Sequence, residues 1–211
     1  GDLDGKIVEK LERVPKKNDF EKIAKSYIGL INQEAPKYSS LKYKGKPLYQ
    51  YARKNKEVPK KIRLIEIFKL DLLSLNQNKF KLLVECGKGT YIRSLVDDLA
   101  KDLGCVAVLS SLQRINSANH KIEEAHEIES INRDNIKNKI IQMGDALSSI
   151  DKIQCASEII DRIKKGQKIH LKEAELKSKY LRLFDEKKSF IGILKNINGL
   201  VSPKRLISIE N

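Results

Sequence analysis

Lys88-Gly89-Thr90-Tyr91-Ile92-Arg93-Ser94-Leu95, continued by Val96-Asp97-Asp98-Leu99, is where the chain changes its hydrophobic period. Before it, Phe80, Leu82 and Val84 alternate with Lys79, Lys81 and Glu85, the pattern of a half-buried strand. After Gly89, the residues Tyr91, Ile92, Leu95, Val96, Leu99, Ala100 and Leu103 repeat at i, i+4, i+8 and at i+1, i+5, i+9. That spacing makes one apolar face of an amphipathic helix. The stretch predicts a strand that runs through a Gly-Lys-Gly turn into a buried helix over 91–102, with Gly104 just past its end as the C′ residue. Arg93 falls in the first turn. A cation there has the wrong sign for the helix dipole, and a guanidinium cannot be discharged. The position therefore suggests a carboxylate or phosphate partner. The residues alone leave a second reading open, an i,i+4 pair of Arg93 with Asp97 on a solvated face, worth about 0.3–0.5 kcal/mol.

Working outward, 62–73 and 79–85 read as two strands joined by the turn-like Asn76-Gln77-Asn78. Residues 6–11 read as a short strand, and 106–112 as a returning strand after the helix. Asn18 is placed to cap a helix, with Glu21 completing a capping box, and Phe20, Ile23, Ala24, Tyr27, Ile28 and Ile31 keep helical spacing. Residues 33–47 read as a polar, basic loop, followed by a short helix over 48–53 after Pro47. A polar helical segment is expected over 126–139. The fold class is α+β: a larger domain over 1–145 with a mixed or antiparallel sheet, then a small β-rich domain over 146–211. In the latter, Ser157 is placed to cap a helix stopped by Gly166, and strands are expected over 179–184, 190–194 and 205–209.

The 211 residues carry 42 Lys and Arg against 28 Asp and Glu, a formal net charge of +14. Such an excess favours a polyanionic partner, nucleic acid first, although a generally lysine-rich composition would give the same count. Cys86, Cys105 and Cys155 are widely spaced and form no Cys-x-x-Cys pair. Neither a zinc cluster nor a disulfide framework is expected, and free thiols suit a reducing cytoplasm. No apolar run approaches the roughly 20 residues that span a bilayer, so no membrane partner is expected. His120, His126 and His170 lack metal-ligand spacing, and no metal is expected.

The stretch from Tyr38 to Arg53 interleaves Lys42, Lys44, Lys46 and Arg53 with Tyr38, Tyr43, Tyr49 and Tyr51. Basic groups neutralise phosphates and tyrosines stack on unpaired bases. A solvated loop whose tyrosines fold back on the core fits the same composition.

Four ordered blocks carry a family resemblance. They are Gly1-Asp-Leu-Asp-Gly-Lys-Ile-Val8, then Pro36 to Arg53 with Val58-Pro59, then Cys86 to Arg93 with Asp97-Asp98-Leu99 and Leu103-Gly104-Cys105, and last Ser189 to Ile193 with Ser202 to Leu206. Together they resemble the bacterial tRNA pseudouridine synthase B (TruB) family. The resemblance implies isomerisation of the T-loop uridine at position 55 of tRNA without metal or cofactor. The base leaves its stack, at a cost of roughly a few kcal/mol, and an Asp of a Gly-x-Leu-Asp-Pro-type motif acts at the sugar. That motif does not occur in this sequence. Leu3-Asp4-Gly5 lacks the Pro and matches a different family segment, so Asp2 and Asp4 are poor candidates.

By the same resemblance, Arg93 is the arginine that pairs with the catalytic Asp, and Tyr91 and Leu112 line the pocket of the target base. Ordinary core packing is the other reading for Leu112. The insertion over 33–60 would clamp the T-stem-loop through Tyr38, Lys42, Lys44, Lys46 and Arg53, with Lys88 and Arg114 adding RNA contacts. The 146–211 domain resembles the RNA-binding PUA module, and Lys204 and Arg205 would extend its basic surface. A plain charged surface is the alternative for that last pair. The expectation is a fragment inactive on its own, monomeric when full-length. An RNA-binding module without catalysis and a truncated structural fragment are the competing readings.

Overall fold

A computed structural model describes residues 7–171 and 178–207. It divides into two compact units, Gly1–Leu112 and Gln113–Asn211. The expected boundary near 145 falls inside the second of these.

In the first unit α1 (Lys17–Ser26) leads into β1 (Gly29–Glu34), and a small hairpin, β2 (Lys42–Tyr43) and β3 (Lys46–Pro47), leads into α2 (Leu48–Ala52). Then come β4 (Ile62–Asn76), β5 (Lys79–Cys86) and α3 (Ile92–Asp102). The main sheet has the order β1-β4-β5, antiparallel throughout. The β4–β5 turn forms where Asn76-Gln77-Asn78 predicts it, with Gln77 at φ +51°.

Long β4 changes face along its length. Ile65 and Ile67 point into the core at odd positions, and Leu70 and Leu72 at even ones. The register shifts between Ile67 and Lys69, so Phe68 is the extra residue of a β-bulge and stands exposed. Without the bulge, the strict period of two would turn one half of the strand's apolar residues to solvent. Phe20, Ala24 and Tyr27 of the α1 region and Leu95, Leu99, Ala100 and Leu103 of the α3 region cover the inner face. Leu30, Ile62 and Leu64 remain exposed among the other side chains of this unit.

Four expectations for this unit need correction. Residues 7–11 form no strand; Ile7 and Val8 are exposed, and Lys6 lies outside the described residues. The capping box at Asn18 is absent: α1 starts after Lys16, without a side-chain cap, and Glu21 instead meets Lys17 at 3.6 Å. The helix does not reach Ile31. Gly29 takes φ +101°, which ends any helical continuation and starts β1 in residues read as helix and loop. Residues 106–112 make no strand beyond a single bridge position at Leu109. An apolar run becomes a strand only where a neighbour satisfies its backbone groups.

The second unit opens with a hairpin, β6 (Asn116–Ser117) and β7 (His120–Lys121), and continues through short turns of 3-10 helix to α4 (Ile136–Lys139) and α5 (Met143–Ala146). The long helix expected over 126–139 is therefore reduced to its last turn. There follow β8 (Asp151–Gln154), α6 (Ser157–Lys164), β9 (Ile169–His170), β10 (Tyr180–Phe184), β11 (Phe190–Ile197) and β12 (Leu200–Leu206). The sheet order is β8-β10-β11-β12-β9, parallel only between β8 and β10.

Helix α6 packs Ile160 and Ile163 onto Leu181, Leu183, Leu194 and Val201. It stops at Gly166 as predicted, but Ser157 gives no cap bond. Expected strand residues 208 and 209 lie outside the described residues. Both units match the expected α+β class.

Candidate functional site

The turn before α3 is built from backbone contacts. Gly87 N–H donates to Glu66 O (2.8 Å) and Thr90 Oγ1 donates to Gly87 O (2.9 Å), which fixes the exit from β5. Tyr91 is the extended N-cap residue, at φ −99° and ψ 106°. At the far end, Cys105 N–H donates to Ala100 O and Gly104 N–H to Lys101 O, both at 2.9 Å, the two bonds of a Schellman turn. The helix expected from period alone is present with its expected stop.

Its N-terminus is held by β1. Gln33, 2% exposed, accepts from Tyr91 N–H through Oε1 (2.8 Å) and donates to Tyr91 O through Nε2 (3.1 Å). Ser94 Oγ donates to Glu34 O at 3.0 Å. Arg93 is half-buried and its Nη2 donates to Tyr38 O at 3.1 Å. Three successive hydrogen-bonded links thus tie the start of α3 to β1 and to the start of the basic loop. Arg93, Tyr91 and Tyr38 are brought together.

The loop has its own framework. Tyr51 O–H donates to Tyr43 O at 3.0 Å, and the two rings meet edge to face at 5.6 Å. Lys44 and Lys61 sit 5.5 and 5.9 Å from the centre of the Tyr43 ring, and Arg53 lies 5.4 Å from that of Tyr49. Lys44, Lys61 and Arg53 therefore lie against tyrosine rings. Tyr38, at 56% exposed, is the open one of the four. Leu48, 2% exposed, anchors the segment. Ser39, 6% exposed, has a hydroxyl without a hydrogen-bond partner among the described residues.

Lys42, Lys44 and Lys46 are exposed on the hairpin, and Lys88 is exposed in the turn before α3. Leu112 is 63% exposed at the end of the first unit and lies outside its core cluster. Arg114 is exposed in the second unit. Lys204 and Arg205 are also exposed there, on a part of β12 beyond its two-residue pairing with β9. Pro203 beside them has no N–H to offer a sheet partner.

Gln33 and Ser94 were not singled out by sequence reasoning. The signal for Gln33 was a polar residue at an alternating position after Ile31, visible only once 29–34 is read as a strand.

Two shifted groups border the helix. Burial, then the hydrogen bond from Tyr27 Oη to Asp102 Oδ2 (2.7 Å), hold the Tyr27 phenol well above its ordinary range. Burial likewise raises the Cys105 thiol, opposed by the Arg13 charge. Such a thiol is a packing group. Among the described residues no cluster of His, Cys, Asp and Glu could hold a metal, and no helix is long and apolar enough to cross a membrane.

The fold recurs among solved structures. It superposes on a chain of the Cbf5-Nop10-Gar1 complex with a TM-score of 0.72 at 16% identity, covering 93% of this chain and 64% of the other. A structure of an H/ACA RNP bound to a substrate RNA containing 2'-deoxyuridine gives 0.68 at 15% identity, covering 93% and 63%. The chain thus spans less than two thirds of either.

Sequence makes the assignment narrower. Residues 1–92 match the TruB family pseudouridylate synthase N-terminal domain, and 152–207 match the C-terminal domain of pseudouridine synthase II TruB. The chain is 32% identical to tRNA pseudouridine synthase B of Vibrio parahaemolyticus, over 98% of its own length and 70% of the relative's. It is 30% identical to that of Aliivibrio salmonicida, over 98% and 69%. The chain belongs to the TruB family.

Proposed function

We propose that the chain supplies the arginine side of a tRNA pseudouridine synthase site and the surface that grips the T-stem-loop. The observation that carries this reading is Arg93. One guanidinium stands in the first turn of α3, half-buried, and reaches the backbone of the Tyr38 loop at 3.1 Å. A planar fork of donors in that place suits a carboxylate that must stay ionised and oriented at neutral pH.

Isomerisation of uridine breaks the C1′–N1 bond and rejoins the base through C5. The nearby carboxylate stabilises positive charge at the sugar or bonds to it. Arg93 holds that carboxylate, and Tyr91, set by Gln33, borders the base. Leu112 serves as a second pocket wall. Lys42, Lys44, Lys46, Arg53, Lys88 and Arg114 neutralise phosphates of the T-arm, and the PUA-like domain adds Lys204 and Arg205. The reaction takes no cofactor, and the setting is the cytoplasm. The site at position 55 follows from the family resemblance.

Tritium release from C5-labelled uridine in a T-arm hairpin tests this. The expected result is turnover by a chain that includes the family's Leu-Asp-Pro-type motif and none by residues 1–211, which lack it. Turnover by residues 1–211 alone would refute the assignment of the carboxylate to that motif. Absence of turnover by both would refute the enzymatic reading. Binding of the hairpin without turnover by either would establish the binding-module reading in its place.

A further inference from the structure

Between Lys37 and Lys61 the chain carries nine Lys or Arg residues and one acidic residue, Glu57. Part of this charge converges. Lys46, Gln50, Tyr51, Lys54 and Lys56 line a shallow cleft of about 120 Å³. Its walls are set by backbone geometry. Lys46 stands on β3, whose hairpin is pinned to α2 by the Tyr51–Tyr43 hydrogen bond. On the other side, Lys56 N–H donates to Tyr51 O (3.0 Å) and Asn55 N–H to Ala52 O (3.1 Å). Asn55 takes φ +51° between them. This is Schellman-type bonding with Asn in the left-handed position, which closes α2 and directs the chain back on itself. Lys54 and Lys56 flank that residue on a fixed turn.

We infer that this cleft is a phosphodiester-binding subsite of the loop, with Lys46, Lys54 and Lys56 as its cations and the Gln50 amide as a neutral donor. The inference rests on the RNA-binding reading above and extends it to Lys54, Lys56 and Gln50. Three features support it. Three lysines line one depression, where their like charges repel and a bound anion would relieve that repulsion. No acidic side chain is among the residues that line it. All three lysines are exposed, so a single small oxyanion in solution would be held weakly through screened charges. A polyanion held at neighbouring points keeps such contacts by releasing its counterions. Because Lys44 and Lys61 lie against Tyr43 and Arg53 against Tyr49, the chemistry of this stretch is weighted toward phosphate rather than base stacking.

The test is the affinity of the chain for a T-arm RNA hairpin, by fluorescence anisotropy, between about 50 and 200 mM salt. Lys54→Gln with Lys56→Gln should raise Kd severalfold and lower the slope of log K against log salt by about 2, about 1 for each lysine. Lys187→Gln with Lys188→Gln, in the second unit, removes the same charge and should leave the slope nearly unchanged. An equal loss in both double variants would mean that net charge alone acts, and would overturn the subsite. Hairpin binding with an unaltered slope in Lys54→Gln/Lys56→Gln would overturn it too, while the RNA-binding reading stood. Displacement of the hairpin by inorganic phosphate, beyond the effect of chloride at equal ionic strength, would make the cleft a site for free oxyanions and overturn its assignment to RNA. No binding by the wild-type chain would overturn the RNA-binding reading itself, and the subsite's ligand with it.

Discussion

The Gln33 side chain closes a ring of two hydrogen bonds with the backbone of Tyr91, accepting from its N–H at 2.8 Å and donating to its carbonyl at 3.1 Å. The partners are 58 residues apart in sequence. Tyr91 is the last extended residue before α3. The buried amide therefore sets where the helix begins, and Arg93, two residues on, takes its place from that start.

Gln33→Leu keeps the volume and removes both bonds. The expected loss of stability is about 1–3 kcal/mol, because two backbone groups of Tyr91 lose their partner at a half-buried position. Urea unfolding of the chain measures it. Gln33→Glu keeps the acceptor and turns the donor into a carboxylate facing a carbonyl. That variant should be less stable at pH 7 than near its own carboxyl pKa, where protonation restores a donor. A loss that does not depend on pH would disprove the pairing of Nε2 with Tyr91 O.

Tyr27 gives a pH dependence of known sign. Its phenol is held above its ordinary value of 10.0 by burial and by the bond to Asp102. Above that pH the unfolded phenol releases its proton while the folded one keeps it. The folded state then binds more protons, and stability falls as pH rises. The contribution is fully present below pH 10 and is lost above it. Tyr27→Phe should cost about 1 kcal/mol at neutral pH, the net value of one hydrogen bond, and should flatten the alkaline fall. Subtracting the variant's stability-against-pH curve from that of the wild type isolates the effect from the other tyrosines and lysines. A difference curve that is level above pH 10 would contradict the raised value.

How far the sequence carried can be read element by element. The β4–β5 hairpin and α3 were legible because β5 and α3 each keep one period, β4 is a long apolar run, and hairpin and helix each have a marked stop, at Asn76-Gln77-Asn78 and at Gly104. Strand β1 was not. Ile28 and Ile31 continue the helical spacing of α1 by coincidence, and only the backbone at Gly29 reveals the break. The apolar run over 106–112 has the composition of a strand, but strands are made by neighbours and composition does not name a neighbour. Likewise Arg93 was legible as an oddly signed residue in a first turn, whereas Gln33 and Ser94, which fix that turn, act across long sequence separations. The bulge at Phe68 was hidden because a two-residue period with one insertion resembles a continuous apolar run.

Gly192 in β11 is a place where one methyl group cannot be accommodated. Its φ is +152°, and a Cβ there would stand 2.8 Å from Leu206 Cα and 3.0 Å from Leu206 Cδ2 on the paired strand β12. The register of this pair shifts immediately afterwards, between Ile193 and Leu194. Gly192→Ala should destabilise the second unit by at least about 2 kcal/mol, from overpacking against backbone and from a conformation that L residues rarely take. Hydrogen exchange reads the effect locally: amides of β11 and β12 should lose protection while those of β4 and β5 keep theirs. Equal loss in both units would mean that they unfold as one cooperative body.

Arg93→Lys separates the two tasks assigned to this residue. A lysine ammonium can replace the bond to the Tyr38 carbonyl, so stability should change by less than about 0.5 kcal/mol, the scale of a surface substitution. It cannot present the planar fork that orients a carboxylate through two parallel bonds. In a chain that carries the Asp motif, turnover of the T-arm uridine should therefore fall about 100-fold or more, the scale expected when a reacting group is misplaced by an ångström. Affinity for the hairpin should be nearly unchanged, since the positive charge remains. Turnover within a few fold of wild type would remove Arg93 from the catalytic pair and leave it as the tether of the Tyr38 loop. A parallel loss of binding would instead place it among the phosphate contacts.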